Sequence, residues 1–283
     1  MRLLVTGAEG FTGKHFFLSA VKAGYEVFGL QADLLNHEAL DAEVLMVQPD
    51  FVVHLAAVSF VGGSDKSAFY SVNVVGTTNL LDAISKLRKA PTKVVLASSA
   101  NIYGNSDISP IEENAAPNPI NHYAASKLAM EKMALTYSDK IPIVIARPFN
   151  YTGSGQHTNF IIPKLVSHFL DKKSSISLGN VNVEREFNDI DMVCEYYLML
   201  IKYGISGETY NVCSGNTYSL ATVIECLSEL TGQVISVCVS KDLVRSNEVI
   251  KLCGDPYKLE TLIKSHSEMV SKKTLKETLQ SMM

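Results

Sequence analysis

Leu3-Leu4-Val5-Thr6-Gly7-Ala8-Glu9-Gly10-Phe11-Thr12-Gly13 opens the chain with a short apolar run that breaks into a glycine-rich turn. Phe16, Phe17, Ala20 and Val21 follow at helical spacing. Strand, glycine turn and helix in that order form the context that a dinucleotide-binding loop requires. The glycines permit a tight turn and a close approach of backbone to pyrophosphate, and the helix N-terminus offers N–H donors and a favourable dipole. A glycine pattern alone is weak evidence; its place between a strand and a helix makes it informative.

Outward from this stretch, further apolar runs read as strands: Glu26–Leu30, Phe51–Ala57, Lys93–Ala97 and Ile143–Ala146. Helical patterns separate them, with one helix predicted from Ser71 to Arg88. Strands alternating with helices predict an α/β fold built on a doubly wound parallel sheet. His54 in the third run reads as a satisfied core histidine rather than a catalyst.

The run Tyr123-Ala124-Ala125-Ser126-Lys127 carries chemistry. A tyrosine and a lysine four residues apart share one face of a helix. A fixed ammonium favours the phenolate, so Lys127 is expected to pull the Tyr123 pKa down towards the working range. Pro117 and Pro119 precede this helix, and Asn121 is a plausible N-cap. Upstream, the Lys93–Ala97 strand ends in Ser98-Ser99. A hydroxyl there faces the crevice where parallel sheets bind ligands.

The 283 residues, 47% apolar and 19% charged, describe an ordinary globular protein of one large unit or of a large and a smaller one. A net charge of −4 offers no broad basic field for nucleic acid or anionic membrane, so any anionic ligand must be held by local groups. The five cysteines are scattered without metal spacing, and neither a metal site nor a disulfide framework is expected. The N-terminus enters a strand without a signal-peptide layout, and no run is long enough to span a membrane, which makes the cytoplasm the expected location.

Ser98-Ser99-Ala100-Asn101-Ile102-Tyr103-Gly104, Tyr123-x-x-x-Lys127 and the Gly-x-x-Gly-x-x-Gly spacing together resemble the extended short-chain dehydrogenase/reductase (NAD-dependent epimerase/dehydratase) family, which acts largely on nucleotide sugars. The resemblance covers the whole chain. It implies a Rossmann-like sheet with a smaller C-terminal α/β substrate domain. The dinucleotide domain would span 1–156, rejoined by about 187–213, and the substrate domain 157–186 and 214–283. It assigns catalysis to Ser99, Tyr123 and Lys127. Cofactor contacts fall to Gly7, Gly10, Phe11, Thr12 and Gly13, to Asp33 and Leu34 beside the adenine, to Leu55, Ala56 and Ala57 along the cofactor, and to Tyr123 and Lys127. Asn73-Val74-Val75-Gly76-Thr77 is a further family-like segment.

Gln31 departs from the pattern. NAD-binding members commonly place an acidic residue here to bond the ribose hydroxyls, and NADP-binding members keep an arginine nearby. Gln31 is neutral, and no Lys or Arg follows until Lys66. NAD(H) or NADP(H) is therefore implied, with NAD(H) weakly preferred.

Arg147-Pro148-Phe149-Asn150-Tyr151-Thr152-Gly153-Ser154-Gly155-Gln156 resembles a family run in which Ser154 replaces the usual proline, and Asn150 would contact the sugar nucleotide. Val183–Asp189 resembles the segment whose arginine, here Arg185, grips the nucleotide diphosphate. A guanidinium suits that task because it bonds phosphate oxygens in pairs. Arg245-Ser246-Asn247-Glu248-Val249 resembles a later clamp, with Arg245 on phosphate and Glu248 on ribose or guanidinium.

These runs, with Thr209–Gly215, are most like the family's reductases of GDP-linked 4-keto-6-deoxyhexoses. They imply hydride transfer from NAD(P)H to C4, giving a product such as GDP-rhamnose or GDP-6-deoxytalose, with Ser99 also touching the substrate. A 4-epimerase keeps the same Ser-Tyr-Lys group and is the alternative. A 4,6-dehydratase needs carboxylates where Ala100 and Asn101 stand. A non-catalytic NAD-binding module would not need all three catalytic residues. Dimerisation through the helices from Ser71 and Asn121 is expected, as in many relatives.

Overall fold

The computed structural model describes residues 1–59, 65–240 and 249–283. Strand β1 (Arg2–Thr6) buries Leu3, Leu4 and Val5 completely, because side chains on both faces of a parallel sheet are covered by helices. Removing most of one such side chain, as in Leu4→Ala, is expected to cost about 2–5 kcal/mol. Helix α1 (Phe11–Lys22), strand β2 (Glu26–Gly29), helix α2 (His37–Val47) and strand β3 (Phe51–His54) follow. Beyond them come α3 (Ser67–Tyr70), a π-helical turn (Ser71–Gly76), α4 (Thr77–Ser85), β4 (Lys93–Ala97), α5 (His122–Ala134) and β5 (Ile143–Pro148).

The second half supplies β6 (Tyr151–Thr152), α6 (Ile161–Leu170), β7 (Ser175–Leu178), β8 (Glu184–Arg185), β9 (Asn188–Asp189), α7 (Ile190–Tyr203) and β10 (Thr209–Val212). The last of these returns to the main sheet, whose order is β10-β5-β4-β3-β1-β2, parallel throughout. From β1 the chain steps to the β2 edge and then back to the other side at β3. The reversal opens a crevice at the carboxyl ends of β1 and β3, where such sheets bind ligands.

Two apolar layers sandwich the sheet. One sets Phe16 and Ala20 of α1 and Val193, Tyr197 and Leu200 of α7 against it. The other uses Leu40 and Val44 of α2, Leu80 and Ile84 of α4, and Met130 and Ala134 of α5. A third core forms apart from the main sheet. It contains Leu165 and Phe169 of α6, Ile176 and Leu178 of β7, Leu227 of α8 (Leu220–Thr231) and Leu279 near the C-terminus. Among the described residues, no helix is long and apolar enough to cross a membrane.

The helix predicted over Ser71–Arg88 is interrupted. Its first six residues form the π-turn, and regular α-helix resumes only at Thr77 and ends at Ser85. Tertiary bonds explain the break. Asn73, fully buried, accepts from the Val58 N–H at 2.9 Å and donates to Ser126 Oγ at 3.0 Å, while Gly76 packs directly against Leu34. The strand predicted over Phe51–Ala57 ends at His54. Asn121 does cap α5, its side chain accepting from the Ala124 N–H at 2.9 Å.

Candidate active site

A cavity of about 430 Å³ opens at the carboxyl ends of the strands. The β1–α1 turn contributes Gly7, Gly10, Phe11, Thr12 and Gly13 to its wall. Gly7 has φ +67°, and a Cβ there would lie 2.8 Å from the Ala56 backbone. A Cβ on Gly13 would lie 2.0 Å from the Gly7 carbonyl oxygen, so that glycine lets helix and turn close on each other. Gly10 is different: a Cβ there would meet only the Gly7 oxygen, at 3.2 Å, and it would project at the cavity wall. Helix α1 also begins without a side-chain cap. Uncapped N–H donors beside a glycine cradle fit a dinucleotide pyrophosphate.

The other wall carries Ser99, Tyr123 and Lys127, buried to 6%, 9% and 2% exposure. Ser99, two residues past β4, caps a short 3₁₀ turn, its hydroxyl accepting from the Asn101 N–H at 3.2 Å, and it shares the cavity wall with Tyr123. Lys127 donates to the Ala97 carbonyl at 2.8 Å. Burial lowers its pKa to about 8, against the opposing pull of Glu131. Burial raises the Tyr123 pKa, opposed by the Ser99 hydroxyl. This corrects the expectation that Lys127 pulls Tyr123 down. The two share a helix face, but the ammonium reaches the end of β4, and desolvation of the phenol dominates. Tyr123 is thus held as a neutral phenol, the form that donates a proton.

One turn beyond Lys127, Glu131 takes the Arg147 guanidinium in a forked pair at 2.9 and 2.7 Å. Arg147 also donates to the Tyr103 hydroxyl at 2.8 Å, which in turn donates to Asn211 Oδ1 at 2.8 Å. This buried network locks α5 to β5 and β10 under the site. His54, 1% exposed, lies between Thr6 Oγ1 at 2.7 Å and Thr77 Oγ1 at 2.8 Å, as a core histidine should.

Leu55, Ala57 and Asn150 line the cavity, and Ala56 donates its N–H to Thr6 Oγ1 at 3.1 Å. Tyr151 and Tyr197 also line it, beyond the contacts expected from the sequence, as does Asn101. Tyr151 stacks on Phe11 with ring centroids 6.2 Å apart, and its hydroxyl lies 2.7 Å from Thr12 Oγ1. It stood inside the quoted Arg147–Gln156 run, but nothing local marks its direction. Ser98 on the cavity wall keeps a buried hydroxyl without a partner among the described residues.

Other expected residues are not gathered at the cavity. Exposed Gln31 folds its side chain back to the Gly29 carbonyl at 3.0 Å. Asp33 accepts from the Leu35 N–H at 2.9 Å, and Leu34 is buried against Gly76 with its carbonyl accepting from Asn79 Nδ2 at 2.8 Å. Arg185 lies outside the cavity wall, its guanidinium donating to the carbonyls of Glu184 at 2.8 Å, Ile250 at 3.2 Å, and Val249. Arg245 and Glu248 lie outside the described residues.

Residues 3–213 match the model of the NAD dependent epimerase/dehydratase family. The chain belongs to this family. Among curated members, it is 36% identical to the GDP-6-deoxy-D-talose 4-dehydrogenase of Aggregatibacter actinomycetemcomitans, over 99% of this chain and 97% of that protein. It is 31% identical to the GDP-6-deoxy-D-mannose reductase of Pseudomonas aeruginosa, over 98% and 96%. The structure of RMD from Pseudomonas aeruginosa complexed with NADPH superposes with a TM-score of 0.89 at 30% identity, over 99% of this chain and 97% of that one. The Pseudomonas aeruginosa structure thus shares the fold of this protein over nearly the whole of both chains.

Proposed function

We propose that the protein is an NAD(P)H-dependent reductase of a GDP-linked 4-keto-6-deoxyhexose, giving a product such as GDP-rhamnose or GDP-6-deoxytalose. The observation that carries this reading is the Tyr123 phenol, its pKa raised by burial, in one cavity with Ser99, Lys127 and the glycine cradle of α1. The cofactor, when bound, supplies the hydride. Ser99 holds the C4 oxygen, and Tyr123 gives that oxygen its proton as negative charge develops there. Lys127, charged and anchored on β4, lies one helical turn away to hold the nicotinamide ribose and stabilise the phenolate left behind. Asn150 and Arg185 are assigned to the sugar nucleotide.

No described residue on the cavity wall is a carboxylate, and Ala100 and Asn101 stand on it where a dehydratase of this family would carry them, which speaks against that reaction. The test is incubation with NADH or NADPH and a panel of 4-keto and 4-hydroxy sugar nucleotides. Net cofactor oxidation supports the reductase. Redox-neutral interconversion would make the protein a 4-epimerase, and no turnover would make it a binding module.

The third core, built apart from the main sheet, supports a division into a dinucleotide unit (1–156 and about 187–213) and a substrate unit (157–186 and 214–283). A homodimer through the face of the π-turn and α5, where Tyr70 and Val75 are exposed, is proposed with it. A monomer in sedimentation at micromolar concentration would refute that assembly. Cytoplasmic location and a weak NAD(H) preference complete the reading. The NADPH in the Pseudomonas RMD structure makes the cofactor preference the sharpest point to test.

A further inference from the structure

We propose that Glu43 selects the cofactor of this protein, supplying from helix α2 the negative charge that strand β2 lacks at Gln31. The inference rests on the reading of the cavity as a nicotinamide dinucleotide site. After β2 the ladder continues for one bond, Leu30 N–H to the Val5 carbonyl at 2.8 Å. The next two backbone N–H groups then turn onto a side chain. Gln31 N–H donates to Glu43 Oε1 at 2.9 Å, and Ala32 N–H donates to Oε2 at 2.7 Å. The half-buried carboxylate is therefore held by a fork of fixed donors, not left to wander on the surface.

In a doubly wound sheet the adenosine ribose lies at this carboxyl end of β2. Two consequences follow for a 2′-phosphate arriving there. The two backbone donors nearest to it are already taken, and a fixed negative charge faces it. A ribose bearing hydroxyls meets the opposite situation, because a carboxylate has about four acceptor sites and only two are used. The Gln31 side chain adds no charge of its own and is bonded back to Gly29. Arg2 offers no compensation. It sits at the amino end of β1, donating to the Val47 carbonyl at 2.8 Å and paired with Glu26, at the opposite end of the strands from Gln31. Lys86 is paired with Asp41.

The test is direct binding of NADH and NADPH to the purified chain by calorimetry, which needs no sugar substrate. The wild type is expected to bind NADH more tightly. Glu43→Gln keeps an acceptor for one N–H and loses the charge, so its NADPH dissociation constant is expected to fall about tenfold or more, while that for NADH rises as the ribose hydroxyls lose a charged acceptor. An unchanged NADH/NADPH ratio in a folded Glu43→Gln would overturn the role of Glu43 while leaving the dinucleotide site standing. If the wild type binds neither cofactor, the reading of the cavity falls and the inference with it.

A second measurement covers a variant that does not fold. Charge repulsion at the exposed edge is screened by salt, with a Debye length of about 10 Å at 0.1 M and about 3 Å at 1 M. The wild-type preference for NADH is expected to shrink across that range. A preference for NADPH, or an NADH preference indifferent to salt, would refute the proposal.

Discussion

The Lys127 ammonium sits 2.8 Å from the Ala97 carbonyl, tying α5 to the end of β4. Buried there, its pKa falls to about 8, so it loses its charge within the range of ordinary assays. The value of kcat/KM for the reduced cofactor reports groups of the free enzyme. It is expected to fall as pH rises through about 8, roughly tenfold per unit, as the protonated form is depleted. Activity level up to about pH 10 would show that the charge of Lys127 is not needed.

Tyr123→Phe removes only a hydroxyl, and the ring still packs beside Phe69. Turnover is expected to drop ~10²–10⁴-fold, as for the loss of a general acid, with NADH affinity nearly intact. Ser99→Ala is expected to cost less, because water can partly replace its bond. Greater damage from Ser99→Ala than from Tyr123→Phe would reverse the assigned roles.

Arg185→Ala is expected to weaken binding of GDP, taken as the probe of the nucleotide site, without changing NADH affinity. A charge-assisted bond contributes about 1.5–3 kcal/mol, or about one to two decades in the dissociation constant. Because the guanidinium also holds the carbonyls of Val249 and Ile250, the melting temperature must be followed in parallel. Equal weakening of both ligands would mean a collapsed fold instead of a lost phosphate contact.

His54 makes stability depend on pH. Burial, then the charge of Lys127, lowers its folded pKa from 6.5 to about 3. As pH falls below about 6.5 the unfolded chain takes up a proton that the folded chain refuses, so stability drains away towards about pH 3. The limiting slope is about 1.4 kcal/mol per pH unit. His54→Gln keeps a donor and an acceptor for Thr6 and Thr77 but cannot titrate. Chemical denaturation from about pH 7 to about pH 5 should therefore give a shallower slope in the variant. Parallel curves would show that the histidine takes up its proton in the folded state.

Much of the site was legible because its signals are local. Leu3–Thr6 buries as a strand wherever a parallel sheet covers both faces, and the glycines at 7 and 13 are dictated by the turn itself. Tyr123 and Lys127 share a face by helical geometry, and Asn121 caps that helix through a partner three residues away. What escaped depends on partners far along the chain. The π-turn arises because Asn73 bonds Val58 and Ser126, a demand invisible in a helix-like run of side chains. The contacts of the Arg185 guanidinium with carbonyls some 64 residues downstream are equally invisible in its own segment.

The sequence by itself determined the order of elements, the glycine turn and the placing of Tyr123 and Lys127 one helical turn apart. These follow from backbone sterics and from the period of apolar side chains, which act over a few residues. Only the tertiary structure decided the electrostatics. Burial raised Tyr123 and lowered Lys127, and packing of α2 beside β2 brought the Glu43 carboxylate to the Gln31 and Ala32 amides. Desolvation and charge depend on everything that surrounds a group in space, and that neighbourhood exists only once the chain has folded.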